Sequence, residues 1–156
     1  MRRWLVRGVG LLLVLVSACG LMVRGSEHDP AVWHIDPLVT ERTGKPNDYL
    51  AAPEGTTAAA PDRVLTRAPA DPLGAFDRAA RAAPRVEVVA GGPAEGFVTY
   101  VQRSALIGFP DYVSVHAVET PSGPSLAVWS RSRYGYSDLG VNKARIEGWL
   151  AEAGFE

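Results

Sequence analysis

Between residues 85 and 133 four strand-like runs follow one another with only short connectors between them. The runs span 85–90, 97–106, 112–119 and 125–133, and the connectors carry turn chemistry: Gly91-Gly92-Pro93, Gly108-Phe109-Pro110-Asp111 and Pro121-Ser122-Gly123-Pro124. A parallel neighbour needs a crossover of a dozen or more residues, which these connectors do not supply. The strands must therefore run up and down as an antiparallel meander. That one constraint removes parallel α/β and all-helical folds.

Helical signals lie on either side. Asp71-Pro72 sets an N-cap and a first-turn proline; Leu73, Phe76, Ala79, Ala80 and Ala83 make an apolar stripe that Pro84 ends. A second helix is predicted from Asp138 to about Ala153, closed by Gly154, with Leu139, Asn142, Ile146, Trp149, Leu150 and Ala153 on its inner face. Residues 62–67 alternate weakly and suit a short edge strand. The predicted order is β-α-β-β-β-β-α, an α+β two-layer sandwich with the helices on one face of the meander. The other face is open or partly covered by the preceding chain. With 47% hydrophobic and 21% charged residues, the composition excludes a wholly disordered chain. A net charge of −1 gives no support for nucleic-acid binding.

The chain before this unit divides in two. Arg2, Arg3 and Arg7 precede an uncharged run from Gly8 to Val23 that ends in small residues, the pattern of an export signal. The only cysteine, Cys19, follows Val16-Ser17-Ala18 as in a bacterial lipobox, which predicts lipidation there. An uncleaved membrane anchor over residues 1–24 is the alternative, favoured by the apolar Leu21-Met22-Val23. Either way the remainder is expected on the extracytoplasmic, periplasmic side of a bacterial envelope, tethered to the membrane. Residues 25–61, rich in Pro, Gly, Ala and Thr, are expected to form a stalk, with 51–61 as pure linker, and 62–156 the folded domain. Trp33, between Val32 and Ile35, is expected to dock on the domain.

The runs Ile107-Gly108-Phe109-Pro110-Asp111-Tyr112-Val113-Ser114-Val115 and Ser130-Arg131-Ser132-Arg133-Tyr134-Gly135-Tyr136-Ser137-Asp138-Leu139-Gly140-Val141-Asn142 resemble the bacterial family catalogued as domain of unknown function 1499. Trp33-His34, with Asp36-Pro37, is similar to the start of that domain, so the resemblance covers Asp29 to Leu150. It implies a fold and an envelope location. The family is largely uncharacterised, so it supplies no catalytic residues.

Alternation assigns faces to the candidate site. Trp129, Arg131 and Arg133 share one face of their strand, and His116, with Ser114 and Tyr112, shares one face of the preceding strand. The simplest register puts Trp129, Arg131 and His116 together away from the main core, with Arg103. Guanidinium groups beside an aromatic suit a carboxylate or phosphate; a solvated face, or arginines paired with stalk acids, is the alternative. The corner between Arg133 and Asn142 is a second candidate: Ser137 and Asn142 would crowd a helix start, with Arg131, Arg133 and Arg145 converging on it. A purely structural corner, capped by Asp138 and fixed by Asn142, is its alternative.

His28 and His34, beside Asp29 and Asp36, have no recognised metal spacing, and no cofactor motif is present. Ser104 and Ser114 have no sequence signature of a nucleophile. These readings favour a non-enzymatic binding module for a small anionic or lipidic ligand or an envelope protein partner. A structural or assembly lipoprotein, and a hydrolase built on His116 and the Arg/Ser surface, are the competing classes.

Overall fold

The computed structural model describes residues 23, 25–42 and 44–155. Along them the chain forms α1 (Pro30–Trp33), β1 (Asp48–Ala52), β2 (Arg63–Val64), α2 (Pro72–Ala82), β3 (Val86–Gly92), a 3-10 turn (Pro93–Glu95), β4 (Phe97–Arg103), β5 (Pro110–Thr120), β6 (Gly123–Ser132) and α3 (Val141–Glu152). The six strands make one mixed sheet in the order β2-β1-β6-β5-β4-β3. Strands β3 to β6 are the expected meander, each antiparallel to the next. The sheet continues past β6: β1 pairs antiparallel with it, and β2 pairs parallel with β1.

β1 corrects the reading of the stretch before Asp62. Its second half, Ala51 and Ala52, was expected in pure linker, yet both are fully buried, with Leu50 beside them. Small side chains let β1 lie between β6 and β2 while helices pack over it. The intervening chain returns over a few residues, and Asp62 ties the two ends by accepting from the Leu50 amide at 2.8 Å.

Both helices lie on one face, as the apolar stripes require. Asp71 caps α2 by accepting from the Gly74 amide at 3.0 Å. Phe76, Ala80, Ile146 and Leu150 are fully buried against Val98, Tyr100, Val113, Val115, Leu126 and Val128 from the sheet. Each large apolar side chain so buried contributes roughly 1.5–3 kcal/mol. Trp149 meets Phe76 and Tyr100 edge-on.

The start of the last helix differs from the expectation. It begins at Val141, with Gly140 in the left-handed region at φ 84° as its cap. Asp138 still serves the helix start: its carboxylate accepts from the Gly140 amide and, at 2.7 Å, from the Asn142 amide. Leu139 is consequently outside the helix and 95% exposed, not part of the inner stripe.

Candidate functional site

The second face of the sheet carries Phe97, Thr99, Val101 and Arg103 from β4, Tyr112, Ser114 and His116 from β5, and Trp129 and Arg131 from β6. The register confirms the shared face: Tyr112 pairs with Arg131, Ser114 with Trp129, and Phe97 with His116. This face is polar and aromatic where the helical face is apolar. It is not open. Residues 23–38 run across it and contribute both main-chain carbonyls and side chains.

Trp33 stacks on Tyr112 with ring centroids 3.9 Å apart and planes 5° from parallel. It is half-buried there, and the Arg133 guanidinium lies over its outer side, 5.3 Å from the ring. His34 stacks on Phe97 at 3.8 Å, and Phe97 in turn stacks on His116 at 5.1 Å. A Cβ on Gly91 of β3 would lie 2.1 Å from the Phe97 carbonyl oxygen and 3.2 Å from the His34 ring, and Gly91 adopts φ +72°. A glycine is needed there on both counts. Asp36 accepts from His116 Nδ1 at 2.9 Å. The expected docking of Trp33 is thus one of several contacts along the segment.

Arg131 lies at the centre of the covered face, 6% exposed. One terminal nitrogen donates to Ser114 Oγ at 3.1 Å, the other to the Trp33 carbonyl at 2.5 Å. Its guanidinium carbon is 4.2 Å from the Trp129 ring centroid. Its Nε has no hydrogen-bond partner, and among the described residues no carboxylate forms an ion pair with it. Burial pushes its pKa down to about 10. The nearest acid, Asp48, is committed to Arg42 at 2.6 Å and to the Trp129 indole at 3.1 Å.

Its two neighbours are alike. Arg103 donates to the carbonyls of Val23, Gly108 and Ser26 and to His28 Nε2 at 2.6 Å. Arg133 donates to the Glu27 carbonyl at 3.0 Å and to the Tyr112 hydroxyl. The three guanidinium groups on this face are held by neutral oxygens and an imidazole. A guanidinium that accepts nothing forces His28 Nε2 to be the acceptor, so Nδ1 donates to Tyr112. Burial, then the Arg103 charge, lowers the His28 pKa.

A second chain of bonds runs inward. Ser114 Oγ accepts from Arg131 and lies 3.0 Å from Thr99 Oγ1, which lies 2.8 Å from His34 Nδ1. Ser114 and Thr99 are fully buried. Every hydroxyl proton is satisfied only if Ser114 donates to Thr99 and Thr99 to His34, which assigns His34 a neutral ring. Burial, the largest cause, lowers its pKa accordingly.

The sheet separates the arginines that the sequence suggested would converge. Arg145 lies on the helical face, where it pairs with Asp111 at 2.7 Å and donates to Gln102 Oε1, Ser130 Oγ and Asn142. Asn142 is fully buried and donates to the Asn47 carbonyl and Ser132 Oγ. Ser137 is exposed and caps only the Leu139 amide. Arg145, Asn142 and Ser137 therefore form a structural corner, apart from Arg131, Arg133, His116 and Trp129. The residues missed were Tyr112, Thr99, Ser114 and His34 as parts of one network; Tyr112 and Ser114 sit at period two from His116, the one signal that points to them.

His116 and Ser114 share a face without a hydrogen bond between them, and Ser114 is spent on Arg131 and Thr99. Among the described residues, no group of three or more His, Cys, Asp or Glu side chains converges as a metal site would require.

Fold and site together define a two-layer α+β domain whose polar face is clasped by the chain that precedes it. The chain belongs to the family described as protein of unknown function (DUF1499), whose sequence profile matches residues 38–152. The match starts beyond Trp33 and His34, so the clasping residues lie just before the matched range. No curated protein and no solved structure matches the chain.

Proposed function

We propose that this protein is a membrane-tethered, non-enzymatic module that binds a small carboxylate or phosphate at Arg131, with residues 25–38 as a removable cover. The observation that carries the reading is a buried guanidinium with a free Nε and no carboxylate partner. Desolvating an unpaired charge costs several kcal/mol, which an anion offsets better than a carbonyl does. The Trp33 carbonyl occupies the position an anionic oxygen would take. Arg133, which among the described residues has no carboxylate partner, stands at the rim to admit the ligand. Preference for anions that present two oxygens side by side, carboxylate or phosphate, follows from the guanidinium fork.

The tether half of the reading rests on the uncharged run from Gly8 to Val23 and on Cys19. Residues 1–22, Cys19 included, lie outside the described residues; among those described, no helix is long and apolar enough to cross a membrane. Cys19→Ser separates the two forms of tether. Loss of acyl labelling with a heavier, unprocessed chain supports the lipoprotein form, and an unchanged mass with membrane retention supports the anchor.

A structural clasp without a ligand is the second reading, favoured by the three carbonyls that Arg103 and the one that Arg131 already hold on this face. Calorimetric titration with inorganic phosphate and with citrate decides between them. Saturable heat that Arg131→Met removes supports the module; no heat with either anion in the native chain or in Trp33→Ala supports the clasp.

A further inference from the structure

One end of the sheet carries an apolar surface that neither the core nor the polar face uses. The loop of residues 104–109 joins β4 to β5 there, and the corner of residues 133–140 joins β6 to α3. Ile107, Phe109, Tyr134, Tyr136, Leu139 and Val141 are all exposed, Leu139 to 95% and Tyr136 to 71%. Among the described residues, every exposed large apolar side chain other than a few valines elsewhere lies on these loops or at the first residue of α3. The two loops touch, since the Phe109 and Tyr134 rings are 5.9 Å apart.

Leu139 makes the point sharpest. It adopts φ 56°, a left-handed conformation that a side chain with a Cβ rarely takes, and it is almost wholly in solvent. Neither local backbone preference nor packing within the domain accounts for a leucine at that position. A surface outside the domain does.

What that surface is follows from where the chain enters the fold. Val23 ends the uncharged run, and its carbonyl accepts from Arg103 at 3.1 Å. The same guanidinium holds the Gly108 carbonyl of the apolar loop at 3.2 Å. Arg133, next to Tyr134, holds the Glu27 carbonyl. Val23, the last residue of the apolar run, is therefore fastened to the apolar end of the sheet. A run that enters a bilayer there brings these loops to the headgroup level. Tyrosines and leucines presented together suit that depth, where one end of a ring is wet and the other is not. Lys143, exposed in the first turn of α3, is a cation close in sequence to this corner.

We infer that loops 104–109 and 133–140 seat the domain on the lipid surface, fixing its orientation as well as its attachment. The inference rests on the tether reading above. The orientation leaves the turn at Ser122, at the opposite end of β5 and β6, pointing away from the membrane.

Photo-crosslinking tests this with the full chain reconstituted into vesicles of phosphatidylcholine and phosphatidylglycerol. An azidophenylalanine is placed at Tyr136 or, as control, at Ser122, and lipid adducts are counted by mass spectrometry. Adducts several-fold more abundant at 136 than at 122, and reduced by Leu139→Ser, are expected. Both sites are exposed, so neither label disturbs the core. Vesicle-bound protein with equally sparse adducts at the two positions overturns the seating while sparing the tether. Protein that fails to float with the vesicles overturns the tether, and the seating with it. Crosslinks between two copies through position 136 make the surface a self-association face and overturn the inference as well.

Discussion

Arg131 and Arg145 are both largely buried, and they follow opposite energetics. Arg145 completes a network: Asp111, itself 8% exposed, depends on it. Removing one partner of a buried pair strands the other, at a cost of about 3–5 kcal/mol. Arg145→Met should lower stability by that amount in chemical denaturation. Arg131 leaves no charge stranded when it is removed, because its partners are a serine that retains Thr99 and the main-chain carbonyls of Trp33 and Trp129. Replacing an unpaired buried charge by an apolar side chain of similar length is neutral or stabilising. Arg131→Met should therefore leave stability within about 1 kcal/mol or raise it, against a loss of cation–π attraction to Trp129 of roughly 1–2 kcal/mol. Equal, large losses in the two variants would make Arg131 a structural residue. Alternation was enough to put Arg131 on one face with Trp129 and His116, although His116 lies opposite Ala127, further along the strand, and bonds Asp36 instead. It could not separate Arg131 from Arg145, because that depends on Arg145 facing Asp111 and Gln102 across the helix-to-sheet interface, a tertiary fact without a local pattern.

At the level of elements, β1 and the clasping segment show what composition hides. Asp48-Tyr49-Leu50-Ala51-Ala52 lacks the alternation and the β-branched residues of a strand, and Pro46 and Pro53 bound it. It is a strand because Tyr49 and Ala51 meet the helical face while Leu50 lies on the other, and because β6 offers an edge. A chain cut to begin at Asp62 loses β1 and leaves the edge of β6 bare. It should fail to give a cooperative melt by circular dichroism, whereas a stalk-only role for residues 48–52 would leave the melting temperature unchanged. The clasping segment is titratable. His28 faces Tyr112, Arg103, Arg133 and Glu87; His34 faces Thr99, Arg131, Glu95, Asp36 and His116. Both have folded pKa values below the ordinary 6.5, so the undocked segment binds more protons as pH falls through that value. Docking is therefore complete above about pH 6.5 and is lost progressively below it. Protection of the amides at residues 28–38, corrected for the intrinsic pH dependence of exchange, should fall between pH 7.5 and pH 5, by about tenfold for each 1.4 kcal/mol of docking lost. Exchange that follows only the intrinsic pH trend would show that the histidines do not control the cover.

Across the whole molecule the chain is layered as helices, sheet and clasp; the first two layers were legible in the sequence, and of the third only the docking of Trp33 was. Short connectors dictated the meander and apolar stripes placed the helices, because both are consequences of local spacing. The rest of the clasp was hidden because its bonds are made by carbonyls of Val23, Ser26, Glu27 and Trp33, which any residue supplies. That layer lies over the arginine face, so its opening should set the affinity of that face for an anion. A ligand that needs the uncovered state binds with an apparent dissociation constant equal to the intrinsic one divided by the uncovered fraction. Sulfate is a suitable probe, since its charge does not change between pH 5 and pH 7.5. Native protein should bind it more tightly at the acid end, where His28 and His34 are protonated and the cover is released. Trp33→Ala removes the stack on Tyr112, so it should bind sulfate tightly at both pH values and lose the pH dependence. Arg131→Met should bind weakly at both. If Trp33→Ala and the native chain titrate alike at every pH, the clasp does not gate Arg131, and the two faces of this coupling are independent.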